Sequence, residues 1–195
     1  NGGSITTDEV SLLQELPDVY RLGVRARPIP TVELRVFGDV TNWSVLKSQC
    51  VVPGETETCD VNEDGSPLAT SNNVPYLNLV RNWGPAFGIR AGGSYWVIPA
   101  LELYLGAGYD GNAVPDSTLE PALTDFHKAS LAGGLRLTVG PFSGDLSYTH
   151  LFYVPRDTTG ASELSTYAAP SKSPDSGGRY TQTIGFINAN VQLAF

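Results

Sequence analysis

Seven segments of the chain alternate residue by residue, and in each of them every charge falls on one parity. The first sets Tyr20, Leu22, Val24 and Ala26 against Arg21, Gly23, Arg25 and Arg27. The second sets Val32, Leu34, Val36 and Val40 against Glu33, Arg35, Asp39 and Thr41. The same pattern returns over 87–97, with Arg90 on the polar side, over 101–110 with Glu102 and Asp110, over 128–139 with Arg136, and over 142–152 with Asp145. It closes the chain with Ile187, Ala189, Val191, Leu193 and Phe195 against Asn188, Asn190 and Gln192. A period of two belongs to a β-strand with two unlike faces, so the chain is expected to be all-β and antiparallel. Seven strands of this kind are predicted.

The links between these segments alternate strictly between short and long. Pro28-Ile29-Pro30, Ile98-Pro99 and Gly140-Pro141 mark tight turns, and between them lie polar stretches over about 47–84, 111–125 and 155–178. Short turns at one end and long loops at the other are the pattern of an outer-membrane β-barrel, with its turns in the periplasm. A soluble barrel or sandwich also alternates in polarity. It would bury its apolar parity and cover the other with many charges. Here charged residues are only 16%, against about 25% in average soluble domains, and the mid-strand charges Arg21, Arg25, Glu33, Arg35, Asp39, Arg90, Glu102, Arg136 and Asp145 are of mixed sign. They are expected to pair across a polar lumen while the apolar parity faces lipid. Tyr20, Tyr95, Tyr109, Tyr148 and Phe152, toward strand ends, suit an aromatic girdle.

Other classes are excluded by composition. No stretch approaches the roughly eighteen apolar residues of a membrane-spanning helix, and the net charge of −8 without a Lys/Arg run argues against nucleic acid as a partner. Cys50 and Cys59 are the two cysteines; they read as a small disulfide loop in an oxidising compartment, with two free thiols as the alternative. Asp60, Asn62 and Asp64, ahead of Gly65, begin like a calcium loop, whose oxygen ligands fall at alternate positions. Ser71 stands where its final acid belongs, so a solvated acidic turn beside Cys59 is the other reading.

Several runs carry a family resemblance. Leu16-Pro17-Asp18-Val19-Tyr20, Val36-Phe37-Gly38-Asp39-Val40-Thr41-Asn42-Trp43-Ser44, Asn82-Trp83, Gly106-Ala107-Gly108-Tyr109-Asp110 with Val114-Pro115-Asp116, and Asn190-Val191-Gln192-Leu193-Ala194-Phe195 resemble the FadL family of outer-membrane transporters for long-chain fatty acids and other hydrophobic compounds. The resemblance runs from about Leu16 to Phe195 and corresponds to the second half of that family's 14-stranded barrel. That family's plug domain and kinked early strand lie outside it.

The resemblance implies passive uptake of hydrophobic molecules in a Gram-negative outer membrane, without a catalytic centre. The bilayer, a hydrophobic substrate, the N-terminal half of the barrel and the barrel assembly machinery are the implied partners. The assembly machinery would read Val191, Leu193 and Phe195. An odd strand number, with Phe195 ending in the periplasm, places residues 1–17 outside the cell, where Val10, Leu12, Leu13 and Leu16 have helical spacing. By resemblance these belong to a surface groove that captures substrate; packing of a short loop helix on the rim is the alternative. Arg81, next to Asn82 and Trp83, falls near the family's basic carboxylate contact or anchors the rim.

Two other classes compete with a transporter. A small structural or adhesion barrel needs a self-closing chain. A barrel-borne lipid hydrolase would draw on Asp125, His127, His150 and Ser130 or Ser147; placement of the histidines in the membrane interface is the simpler reading.

Overall fold

The computed structural model describes residues 9–55, 57–71 and 74–194. In chain order the strands are β1 (Val10–Gln14), β2 (Val19–Ile29), β3 (Val32–Thr41), β4 (Ser48–Pro53), β5 (Leu77–Val80), β6 (Ala86–Ile98), β7 (Leu101–Asp110), β8 (Lys128–Val139), β9 (Phe142–Tyr153), β10 (Arg156–Asp157), β11 (Arg179–Tyr180) and β12 (Thr183–Leu193). Seven of them form one antiparallel sheet in the order β12-β9-β8-β7-β6-β3-β2. These are the seven segments that alternate in sequence. Two-residue turns join β2 to β3, β6 to β7 and β8 to β9, and all three lie at one end. Register shifts between Ala26 and Ile29 and between Trp96 and Ile98 place irregularities beside two of these turns, where extra twist closes a hairpin.

Burial in this sheet is the inverse of that in a soluble protein. On the apolar parity Leu22 and Val191 are each 81% exposed and Leu105 is 64% exposed, whereas on the polar parity Glu33 is 1% and Glu102 8% exposed. The sheet therefore curls around its polar face. The buried hydrophobic side chains among the described residues, Leu46, Cys50, Val52, Ala113, Val114, Leu119, Phe126 and Leu164, all come from the segments between the long strands. The apolar core belongs to a cap at the long-loop end.

That cap contains the three-stranded sheet β1-β4-β5 and the small β10-β11 pair. Val10, Leu12, Leu13 and Leu16 are not helical, contrary to their spacing: Val10–Gln14 pairs residue for residue with Gln49–Pro53. A seven-residue helix is too short to hold alone, and the pairing satisfies its backbone instead. A disulfide ties Cys50 of this sheet to Cys59 in the loop after β4, with Cα atoms 6.0 Å apart. Buried hydrogen bonds join the long loops, with Asn78 Nδ2 donating to Ser171 Oγ at 2.8 Å and Ser171 Oγ to the Gly65 carbonyl at 2.7 Å. Gly65 has φ of +82° and so close a neighbour in Ser171 that a Cβ would lie 2.5 Å from its Cβ. Only glycine fits this contact.

Candidate functional site: the polar face and its rim

Adjacent antiparallel strands align inward residues in rows, and the charges pair along those rows. Toward the short turns, Glu33 lies between Arg25 on β2 and Arg35 on its own strand, and Arg136 reaches Glu102 at 3.5 Å. Arg35, Glu102 and Arg136 border a hollow of about 320 Å³ floored by Gly92, Gly106 and Ala132. Toward the long loops, Asp39, Gly88 and Asp110 form one row across β3, β6 and β7. Gly88 leaves the space into which the Arg90 guanidinium folds back, bonding Asp39 at 2.7 Å and also Asp110. Formally the first cluster, with two Arg and Glu33, carries one positive charge, and the second, with Arg90 between two Asp, carries one negative charge.

Of the nine lumen residues expected to pair, seven do so. Arg21 and Asp145 lie opposite Asp39 and Arg136 in register, but neither joins an ion pair among the described residues. Asp110 completes the cluster in their place. Its position on the polar parity of Gly106-Ala107-Gly108-Tyr109-Asp110 was the available signal.

The rim holds the remaining residues singled out by sequence. Arg81 is 3% exposed, bonded through Nε to Gln49 at 2.7 Å and through Nη1 to Glu120 at 2.5 Å. Its carbonyl accepts from Thr118, and Trp83 packs edge-on to Trp43 at 5.1 Å. The guanidinium is thus sealed inside the cap and neutralised there, which makes Arg81 a clamp between loops and corrects its reading as an open carboxylate contact. Asn82, beside it, adopts a φ of +47°, a left-handed turn that Asn tolerates.

Of the apolar segment, Val10, Leu12 and Leu16 are exposed while Leu13 is half-buried. Val10 and Leu12 share their side of the small sheet with Val51 and Leu77. The opposite side buries Cys50, Val52 and Asn78. Leu12, Leu13 and Cys50 also border a cleft of about 630 Å³ with Glu15, Lys47 and Glu57.

At 60–71 the Asp60 carboxylate accepts from Ser71, Asn62 donates to Ser66 Oγ and the Pro67 carbonyl, and Asp64 Oδ1 accepts from Ser66 Oγ and N at 2.6 and 2.9 Å. These bonds hold the Asp64 carboxyl below the usual carboxylate range, the Ser66 hydroxyl first and its backbone N–H second. The three side chains face their own turn, and among the described residues no three His, Cys, Asp or Glu are gathered as metal ligands. Asp125 accepts from the backbone N–H groups of Ala113, Val114 and Phe126, while His127 meets Tyr109 and His150 meets Tyr148 and Thr183. Val191 and Leu193 are exposed on β12; Phe195 lies outside the described residues.

No protein-family model matches the chain, and no curated protein matches it. Among solved structures, the crystal structure of a Pseudomonas aeruginosa FadL homologue superimposes on it with a TM-score of 0.58 and 19% identity, over 94% of this chain and 35% of that one. The fold is therefore FadL-like, and the chain spans 35% of that chain's length.

Proposed function

We propose that this chain is a wall segment of an outer-membrane barrel that admits hydrophobic molecules, long-chain fatty acids among them, by passive diffusion. The observation that carries the reading is the inverted burial of the seven-stranded sheet: an apolar face open to its surroundings and a polar face lined with ion pairs. Such a sheet suits a bilayer on one side and water on the other. The FadL-like fold supports the choice of cargo, and the exposed Val10, Leu12 and Leu16 on the cap would give a first contact for an apolar tail. No covalent chemistry is needed, because transfer between leaflet and lumen requires only matched surfaces. Strands beyond these seven would complete the wall, contributed by the N-terminal half of the same barrel.

The test is the intact mass of the protein from native membranes, in detergent and again after denaturation, with extracted lipid analysed alongside. Additional polypeptide released only on denaturation, together with fatty acid, is the expected result. A lone, lipid-free monomer of 20.8 kDa would remove the transport reading.

A further inference from the structure

The apolar face of the seven-stranded sheet carries no Asp, Glu, Lys or Arg in any of its strands, yet it carries a histidine. His150 projects from β9 on the parity of Leu146, Tyr148 and Phe152. Its Nδ1 is 2.9 Å from Tyr148 Oη, its Nε2 is 3.2 Å from Thr183 Oγ1 on β12, and Phe152 lies against its ring at a centroid separation of 4.4 Å. The arrangement lies flat against the sheet. Gly185, the register partner of His150, makes the room: a Cβ there would lie 2.6 Å from Tyr148 Oη. The other histidine of the chain repeats the motif at the same rim, with His127 Nδ1 2.9 Å from Tyr109 Oη.

Proton bookkeeping along this chain of groups ends on an unused donor. When Tyr148 O–H donates to Nδ1, the ring proton sits on Nε2 and is donated to Thr183 Oγ1. The hydrogen of Thr183 then points away from the ring, and among the described residues the Thr183 hydroxyl has no hydrogen-bond partner besides His150. In the other neutral tautomer Nδ1–H donates to Tyr148 Oη, Thr183 O–H donates to Nε2, and the Tyr148 hydrogen turns outward instead. In either state a polarised hydroxyl beside an imidazole is offered to the surroundings, and hydrocarbon cannot answer it.

The height of the site identifies what can. His150 lies eight positions along β9 from Phe142 (150 − 142) and three short of Tyr153. At about 3.3 Å per residue and a tilt near 40°, it stands roughly 20 Å above the short-turn end, near the top of an apolar band about 25 Å tall. The acceptors that border the top of that band are the ester carbonyls and, just beyond them, the phosphate oxygens of lipid headgroups, and the phosphate is the stronger of the two.

We propose that Tyr148, His150 and Thr183 form a headgroup site that takes the phosphate of a membrane lipid at the long-loop rim. The site rests on the lipid-facing reading of the apolar face. Native mass spectrometry of the protein in detergent, titrated with dioleoyl phosphatidic acid or with dioleoylglycerol, tests it. Retention of the phosphate lipid over the phosphate-free one is expected, and His150→Gln and Thr183→Val should each weaken it about tenfold, as loss of one charge-assisted hydrogen bond does. Equal retention of both lipids, or variants that bind as tightly as the parent, overturns the site. Full competition by millimolar inorganic phosphate overturns the lipid assignment in favour of a free anion. Protection of the strands from protease in vesicles is scored separately: without it the lipid-facing reading fails, whereas protection without phosphate preference removes only the headgroup site.

Discussion

Glu33 holds two arginines from a position that is almost fully buried, while the side chains of Arg25 and Arg35 remain 68% and 55% exposed. Replacement by Gln keeps the shape and leaves two guanidinium groups facing one another without a counter-charge. Removing one partner of a buried pair costs several kcal/mol, but solvent screens half-exposed arginines, so Glu33→Gln should lose about 1–3 kcal/mol in urea unfolding. Arg25→Met should lose less, because Arg35 still neutralises the carboxylate; equal losses would refute the shared pairing. Gly88 gives a steric counterpart. A Cβ there would stand 2.9 Å from Asp110 Oδ1, 3.0 Å from Arg90 Nη1 and 3.1 Å from Asp39 Oδ1, so Gly88→Ala should displace Arg90 and destabilise by about 1–3 kcal/mol. At Asp64 the sign of a pH effect follows from its lowered pKa. The turn is favoured above the ordinary carboxylate range and loses that support as pH falls through the folded value. A carboxyl ¹³C titration of Asp64 against Asp64→Asn checks it; a midpoint at or above the usual range would contradict the Ser66 bonds.

Each long strand was legible because one property, parity, fixes both its conformation and its buried face. The same logic fails for β1, β4 and β5, whose pairings join residues from 26 (Val51 with Leu77) to 43 (Val10 with Pro53) positions apart. Within Val10–Leu16 the apolar spacing fits a helix as well as a strand, and a distant partner decided. Parity likewise tells which charges share the polar face but not which neighbour each side chain reaches, so it pairs Arg21 and Asp145 as well, which stand opposite Asp39 and Arg136 without an ion pair among the described residues. The cap and the wall are built on different forces and should fail separately. Reduction of Cys50–Cys59 frees a loop of about ten residues, a loss of roughly 3 kcal/mol by loop-closure entropy, and should expose 51–76 to protease while the circular dichroism of the wall is unchanged. In the wall, Leu105→Arg places a charge at the centre of the apolar face and should cost about 2–4 kcal/mol in a bilayer. Thr149→Arg on the polar face should cost far less. Equal penalties would mean that neither face meets lipid.

For the whole molecule, strand number decides how the wall can close. Neighbours in the seven-stranded sheet are all antiparallel, so its edge strands β2 and β12 run in the same direction. Direct pairing of these two edges would be parallel, and so would β2 against β12 of a second copy turned about the barrel axis. An all-antiparallel barrel therefore needs an odd number of further strands between them. Those strands must meet unlike edges: inward arginines Arg21 and Arg25 on β2, and amides Asn188, Asn190 and Gln192 on β12. Arg21, without an ion pair among the described residues, calls for an acidic neighbour on the strand beside β2. Photo-crosslinking residues placed at Val24 and at Ile187, on the two edges, test this in native membranes. Each should capture polypeptide from outside these seven strands, and the two positions should not link to each other. A link between 24 and 187 within one chain would establish a parallel seam and a self-closed barrel, and with it a lumen so narrow that side chains fill it. In that case the ion pairs of the polar face would be the interior of a structural barrel rather than the lining of a passage.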